Sequence, residues 1–222
     1  MAQRSSQPTS RAAMKRGKSA PVKKPFPWGF AAGSGVLAAG LVGVLVFAVM
    51  NTGSASPSPL RDADKAVQGL VIAPASTLTR NHKDGLQKYA EGPPVGGDHS
   101  PVWENCAVYT KPIPNENAVH SLEHGGVWIT YQPSLPAADI AKLAALVSSN
   151  TYRMLSPYPG LKSKISIQAW GRQVYVDSAS DPRIATFAEK FTQGPQTPER
   201  GAACSGGTST TGSTPAEKPD AA

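Results

Sequence analysis

The strongest constraint on how this chain folds is a run of 23 residues, positions 28–50, without a charged side chain. As an α-helix, which rises about 1.5 Å per residue, the run is about 34 Å long, enough to cross a hydrocarbon layer of about 30 Å. A cleaved signal peptide is the alternative, with small residues at Gly53 and Ala55, but its apolar region is typically only about 7 to 15 residues long. The sequence therefore predicts one transmembrane helix, in contact with the lipid bilayer, over residues 28–50.

The charges beside this run predict its orientation. Residues 1–27 hold seven basic side chains and no acidic one, whereas the segment after the run is neutral. Because basic flanks remain on the cytoplasmic side, we expect a single-pass protein of the cell membrane with a cytoplasmic N-terminus and an extracytoplasmic body. The rest of the chain carries equal numbers of basic and acidic residues, so the net charge of +7 does not indicate a nucleic-acid partner.

Small residues recur every four positions in the predicted membrane helix. They are Ala31, Gly35, Ala39 and Gly43, and such a stripe is typical of helix pairs that dimerise in the bilayer. Membrane helices are also rich in glycine and alanine without dimerising. A homodimer through this stripe therefore stays one of two interpretations.

Composition divides the chain into tails, a spacer and one folded domain. Residues 1–27 and 205–222 lack the apolar periodicity that builds a core, and both are predicted to be disordered. Residues 51–59 consist largely of small polar residues and proline, and are predicted to be a flexible linker. Residues 60–204 are numerous enough to bury a single hydrophobic core.

Patterning within residues 60–204 predicts an α+β domain with a mixed sheet and two main helices. The first main helix follows a Ser134 cap, and the second begins at Asp181-Pro182. Each helix carries apolar residues at helical spacing. The predicted strands are 69–74, taken as buried, together with 127–131, 152–156, 164–170 and 172–177.

Residues 92–131 hold most of the side chains with versatile chemistry. They include three of the four histidines and one of the two cysteines, in a setting dense in glycine and proline. That density predicts an ordered loop over most of the segment up to the strand at 127–131. We therefore expect any chemical function to reside here.

His120 and His124 lie four residues apart in the sequence HSLEH. Both rings share a face on a helix or on a strand, which makes them candidate metal ligands. Glu123 lies beside His120 on a helix but on the opposite face of a strand. The pattern H-x-x-E-H also occurs in zinc proteases, but the prolines before it and the glycines after it leave room for barely one helical turn, which argues against a protease.

His99 and His82 lie in loops and complete the set of candidate ligands formed with His120, His124 and Glu123. Neutral imidazoles with a carboxylate suit Zn, Cu, Ni or Fe(II) and do not select among them, and Zn and Cu are the candidate ions that we name. The alternative is structural, because histidines also satisfy the carbonyl groups of a proline-rich loop through hydrogen bonds.

Cys106 and Cys204 are the two cysteines of the chain. In the oxidising compartment that the predicted orientation implies, paired thiols persist as disulfides. We expect a bridge that closes a loop of about 100 residues and contributes roughly 4 to 5 kcal/mol. The alternative is that Cys106 is a free thiolate close to the histidines.

Three motifs, PPVGGDHSPVW, ENAVHSLEHGGVWITY and QGPQTPERGAAC, together resemble a family of bacterial single-pass membrane proteins that carry an extracytoplasmic domain of unknown function. The likeness covers roughly residues 69–206. It implies that the four histidines, Glu123 and both cysteines belong to the family's motifs, and it assigns them no role.

Two hypotheses of function follow. The first is a membrane-anchored domain with a histidine-rich polar site that is a candidate for binding a transition metal, and the second is a non-catalytic interaction or scaffold module of the cell envelope. A thiol oxidoreductase is disfavoured because the two cysteines are far apart in sequence. The sequence leaves open whether the protein is an enzyme.

Overall fold

A computed structural model describes residues 58–216 of the chain. The predicted cytoplasmic tail, the predicted membrane helix with its small-residue stripe, and most of the predicted linker lie outside these residues. Among residues 58–216, no helix combines the length and the apolar character needed to cross a bilayer.

The described residues form the predicted α+β domain. Two helices are the long ones predicted from sequence, and two shorter helices join them. The elements in chain order are α1 Pro59–Ala66, β1 Val71–Ile72, a 3-10 turn Ala75–Thr77, α2 Asn115–Glu123, β2 Val127–Tyr131, α3 Ala137–Ser148, β3 Arg153–Pro157, β4 Ile165–Ala169, β5 Arg172–Val176 and α4 Pro182–Phe191.

The five strands form one mixed sheet in the order β1-β5-β4-β2-β3. β2 and β3 are parallel and are connected through α3, with Ile129 opposite Leu155, whereas the other neighbours are antiparallel. A parallel pair needs such a crossover, while a hairpin suffices for the antiparallel pair β4 and β5. The prediction of a mixed sheet is confirmed.

Alternate side chains of each strand pack on opposite faces of the sheet, and both faces are covered. Val127 and Ile129 lie in a cluster with α1, α3 and α4, while Trp128 lies in a second cluster with α2 and the loops before it. Because both faces are covered, β2 is buried along its whole length. The second face carries the histidine site, since the Trp170 ring lies edge-on to the His99 ring at 6.0 Å.

The two long helices differ in how they begin. Asp181 caps α4 as predicted, because its side chain accepts a hydrogen bond from the Arg183 amide. α3 begins at Ala137, and Pro136 rather than Ser134 occupies its N-cap position without a side-chain hydrogen bond. The predicted Ser134 cap is therefore wrong, although Leu143 and Val147 are buried as their spacing indicated.

The first strand is an exposed edge and not the buried strand predicted over 69–74. β1 spans only Val71–Ile72, and each of its side chains is about half exposed at 50% and 51%. It pairs with β5 on one side of the sheet. The apolar run was correctly assigned as extended chain, but its length and its burial were overestimated.

Residues 205–216 are packed on the domain, in contrast to the disordered tail predicted for 205–222. The Asn105 amide donates to the Thr208 carbonyl at 2.7 Å, and the Gly212 amide donates to the Pro112 carbonyl at 2.7 Å. Asn117 exchanges two hydrogen bonds with Ala216. Composition misled here because this segment is held by polar contacts and not by an apolar face of its own.

Candidate functional site

Helix α2 supplies two of the site residues, and the sequence had predicted no full helix there. It spans Asn115–Glu123, so His120 and Glu123 lie on the same side at spacing i, i+3. Gly125 follows with a φ of +92°, which ends the helix in a conformation that glycine adopts without strain. The helix was missed because nearly all its residues are buried, so no polar face alternates with an apolar one.

Two loop segments bring the other histidines to this helix. We call residues 79–83 the strap. It runs beside His99, where the Lys83 amide donates to the His99 carbonyl at 2.7 Å and the His99 amide donates to the Asn81 carbonyl at 3.1 Å. These bonds pair His82 with His99 as in a short parallel ladder. Residues 17 positions apart in sequence thus lie side by side.

Four side chains converge into what we call the His3Glu cluster, formed by His82, His99, His120 and Glu123. One ligand atom from each lies within 4.8 Å of all the others. Four atoms bound to one zinc ion at about 2.1 Å lie roughly 3.4 Å apart, so coordination requires the most widely separated ligand atoms to move inward by at most about 1 Å. His99 and Glu123 are buried, whereas the His82 side chain is 43% exposed.

The ring orientations of the buried cluster histidines are set by the backbone. His99 Nδ1 lies 2.7 Å from the Gly97 carbonyl oxygen, and His120 Nδ1 lies 2.7 Å from the Ser100 carbonyl oxygen. A carbonyl only accepts, so Nδ1 carries the hydrogen in both rings, and the neutral ring keeps its lone pair on Nε2. Histidine ligands of metals are held by this kind of outer contact.

Glu123 presents its carboxylate to these rings. Its Oε2 atom lies 3.0 Å from His99 Nε2 and 3.5 Å from His82 Nε2, while Arg80 Nε lies 3.8 Å from Oε1. A carboxylate oxygen and the Nε2 lone pair of a neutral ring are both acceptors, so they need a shared cation between them, which is either a proton or a metal ion.

Burial and charge act in opposite ways on the two helix residues. Burial lowers the pKa of His120 to about 3, which keeps this ring neutral at physiological pH. Burial alone would raise the pKa of Glu123, but the hydrogen bond with His99, in which the two side chains share a proton, outweighs it and lowers that pKa. The cluster thus combines a neutral imidazole with an ionised carboxylate.

The structure places His124, a predicted ligand, outside the cluster. Its ring lies 4.5 Å from the His120 ring, but its Nδ1 donates to the Ala203 carbonyl at 2.6 Å and its Nε2 lies 3.5 Å from Glu199 Oε2. The pair His120 and His124 therefore does not converge on one point. This arrangement also differs from the protease pattern H-x-x-E-H, in which both histidines bind the zinc ion.

Cys106 and Cys204 form the predicted disulfide, with their Cα atoms 5.4 Å apart. The Cys106 amide also donates to the Cys204 carbonyl at 2.7 Å. The alternative of a free Cys106 thiolate near the histidines is wrong for this structure. The bridge fixes the segment that carries Ala203, the hydrogen-bond partner of His124.

A further buried carboxyl group, that of Glu104, lies outside the cluster. The side chain is fully buried, and neither carboxyl oxygen has a hydrogen-bond partner among the described residues. Burial raises the pKa of Glu104 to about 7 because the charged form loses its hydration. A carboxyl group in this state carries a proton well above the pH at which exposed carboxyl groups lose theirs.

Replacing Glu104 with glutamine is expected to stabilise the protein progressively from about pH 5 to pH 8. Folding raises this pKa from about 4.5 to about 7, so wild-type stability falls as pH rises through that window and levels off above it. Glutamine does not titrate, so the stability of the variant relative to wild type should rise by an amount on the order of 3 kcal/mol between about pH 5 and pH 8. Urea unfolding of both proteins at several pH values measures the difference.

The exposed Glu189 provides the matched control for this prediction. Its side chain is 72% exposed, so Glu189→Gln should give a nearly flat difference from wild type over the same window. Subtracting the two curves removes the titration of groups that all the proteins share. A flat curve for Glu104→Gln as well would show that Glu104 ionises normally in the folded state.

Two cavities of about 730 and 600 Å³ lie in the same half of the domain. The first lies between residues 71–79 and 86–98, and the second lies beside Pro112 and Tyr158. Neither is lined by a residue of the His3Glu cluster. The cluster is therefore separate from both spaces.

Every residue of the cluster was predicted from the sequence, but so was His124, which lies outside it. Arg80, which faces the Glu123 carboxylate, is the main omission, and the contacts between Asp98 and the strap were not predicted. The available signal was the alternation of residues 79–83, in which every second residue shares a face when the chain is extended.

Comparison with known proteins gives one match. The family model described as "Protein of unknown function (DUF3105)" matches residues 82–206, which is more than half of the chain. The matched interval starts at His82 and includes the whole His3Glu cluster and both cysteines. No curated protein and no solved structure matches the chain. The expected domain of unknown function is confirmed over these residues.

Proposed function

This chain belongs to the DUF3105 family of proteins of unknown function, and we propose that its domain binds one transition-metal ion through His82, His99, His120 and Glu123. Zinc and copper are the ions that we expect, because three imidazole nitrogens and one carboxylate oxygen suit both. The neutral ring of His120 and the ionised carboxylate of Glu123 are the protonation states that coordination requires.

The observation that carries this proposal is the orientation of the buried rings. His99 and His120 each use Nδ1 on a backbone carbonyl, which leaves Nε2 free in the neutral ring. Nε2 of His99 then lies 3.0 Å from a carboxylate oxygen with which it cannot form a hydrogen bond unless a proton is shared. A metal ion between these atoms turns two opposed acceptors into two ligands.

The geometry favours holding an ion over catalysis. A catalytic zinc site keeps one position open for water or substrate, whereas here four protein ligands are available. Neither cavity described above reaches the cluster. We therefore propose storage, transfer or structural use of the ion.

Metal titration of the purified full-length chain tests this function. After removal of bound metal with a chelator, we expect wild type to bind one equivalent of Zn²⁺ or Cu²⁺, with stabilisation of about 2.7 kcal/mol when free ion is 100 times the Kd. His120→Ala should abolish this binding. His124→Ala is the matched control, because it removes a similarly buried ring from the same end of α2 but outside the cluster.

A second candidate function is an interaction module in which the histidines are purely structural. The carbonyl contacts of His99, His120 and His124 favour it, since each satisfies a loop carbonyl. It predicts that His120→Ala and His124→Ala both lower stability, and that neither changes the metal content. Wild type that binds less than about a tenth of an equivalent of either ion would favour this module over the metal site.

We also propose that the domain lies outside the cytoplasm and is anchored by residues 28–50. The uncharged run, its basic N-terminal flank and the presence of a disulfide support this location. The chain should fractionate with membranes, and both cysteines should resist a thiol label when protein is taken directly from cells. Recovery in the soluble fraction, or two labelled cysteines, would contradict this location.

A further inference from the structure

We infer that Asp98 is a positioning residue that fastens the strap over the His3Glu cluster and thereby controls exchange of the bound ion through His82. This inference depends on the metal-binding function proposed above. Asp98 itself coordinates no ion, and displacement of His82 is the route by which the ion enters and leaves.

Successive side chains of the strap point alternately toward Asp98 and toward Glu123. Thr79, Asn81 and Lys83 all reach the carboxylate of Asp98, with distances of 2.5 Å from Thr79 Oγ1 and 2.8 Å from Asn81 Nδ2 to Oδ1. The residues between them, Arg80 and His82, face Glu123. In extended chain, neighbouring side chains point to opposite sides, so the contacts with Asp98 on one side aim His82 at the cluster on the other.

His82 is the cluster ligand through which solvent reaches the site. Its side chain is 43% exposed, whereas His99 and Glu123 are 0% and 1% exposed and His120 is buried. The ring of His82 stacks on that of His120 with centroids 4.6 Å apart and covers the buried ligands. An ion therefore enters or leaves when the strap lifts His82 away.

Arg80 makes the strap responsive to the state of the site. Its Nε atom lies 3.8 Å from Glu123 Oε1, on the same side of the strap as His82. A metal cation on Glu123 repels the guanidinium, and loss of the ion draws the guanidinium back. One segment thus carries both a ligand and the cation that competes with the metal for the same carboxylate.

A double-mutant cycle on the full-length chain tests the role of Asp98. The readout is the rate at which Zn²⁺ passes to an excess of a chromogenic chelator. Asp98→Ala should speed release by about 10- to 100-fold, which is the range by which loss of an outer contact usually weakens metal affinity. His82→Ala should also speed release, and adding Asp98→Ala to it should have little further effect, because Asp98 acts through His82.

Asp84→Ala is the matched control, since Asp84 is an exposed acid beside the strap whose side chain forms no hydrogen bond or ion pair with Asp98 or the cluster. Its release rate should equal that of wild type. Hydrogen exchange of the Lys83 amide in metal-free protein gives a second readout, and Asp98→Ala should speed this exchange whereas Asp84→Ala should not.

The possible outcomes distinguish the role of Asp98 from metal binding by the cluster. Wild type that binds no ion overturns both, even if the amide exchange responds as expected. Wild type that binds an ion while Asp98→Ala releases it at the normal rate overturns only the inference. Equal, additive effects of Asp98→Ala in the presence and absence of His82 also overturn it, because Asp98 would then act by another path.

Discussion

Replacing Glu123 with glutamine is expected to weaken metal binding by more than about 100-fold while leaving the metal-free protein at least as stable as wild type. Loss of an outer contact alone typically costs a metal site about 10- to 100-fold in affinity, and here a charged ligand is lost. Because metal affinity falls while the stability of the metal-free protein does not, this substitution is more informative than truncation of a ligand to alanine.

The reason lies in the 3.0 Å contact between His99 Nε2 and Glu123 Oε2. Glutamine has nearly the same shape as glutamate, but its amide donates a hydrogen, so Gln at this position can bond the lone pair of a neutral His99. The metal-free pair then becomes an ordinary buried hydrogen bond without a buried charge. The same amide is a poor metal ligand in place of a carboxylate.

Thermal unfolding with and without Zn²⁺ measures both effects. Wild type should gain stability on adding the ion, Glu123→Gln should not, and His124→Ala should gain as wild type does. A metal-free Glu123→Gln variant that is clearly less stable than wild type would contradict this prediction. Such a result would mean that Glu123 neutralises a charged histidine and that a proton, not a metal, occupies the cluster.

Removal of the disulfide is expected to lower the free energy of unfolding by about 4 to 5 kcal/mol. The bridged cysteines are 98 residues apart in sequence, so the bridge removes a large part of the conformational entropy of the unfolded chain. This loss is a large fraction of the total stability of an ordinary domain. The double variant Cys106→Ala, Cys204→Ala should therefore be only marginally folded at 37 °C.

Urea unfolding of wild type and the double variant measures this loss. Wild type that has been reduced and alkylated provides the control, and its midpoint should fall close to that of the double variant. A loss below about 1 kcal/mol would show that the bridge adds little to the contacts that already hold residues 204–216. Intact mass with and without reductant establishes that the wild-type sample is bridged.

The elements that sequence predicted well are those in which one face is buried. Ile184, Phe187 and Phe191 recur at helical spacing along α4, and all are buried. β2 was predicted from β-branched and aromatic residues between glycines and a proline. In both elements local propensity and tertiary packing favour the same structure, so the local sequence is sufficient to predict it.

Helix α2 shows where prediction from the local sequence fails. Its polar residues are buried and bond to loops that are distant in sequence, as when Asn117 Nδ2 donates to the Val102 carbonyl at 2.6 Å and Ser121 donates to the Glu104 carbonyl. Nothing in the order of its residues indicates partners of this kind. The nearby prolines suggested a loop, although Pro114 in fact occupies the N-cap position of the helix.

The candidate site was predictable in composition but not in arrangement. From their spacing, His120 and His124 were equally good candidate metal ligands. Only the fold shows that His120 joins the cluster and that His124 contacts Ala203. The role of Asp98 depends on the pairing between the strap and residue 99, which brings distant segments together. Non-local pairing of this kind leaves no periodic trace in sequence.

The path of the last described residues makes the site depend on a segment that is distant in sequence from all its ligands. All four cluster residues lie between positions 82 and 123, yet Ser100, whose carbonyl orients His120, donates its own hydroxyl to the Ala216 carbonyl. A nascent chain that has emerged only as far as β5 contains every ligand but lacks Cys204 and the segment that secures this loop. Truncation of the chain before residue 204 would thus remove the support of the cluster without removing any of its ligands.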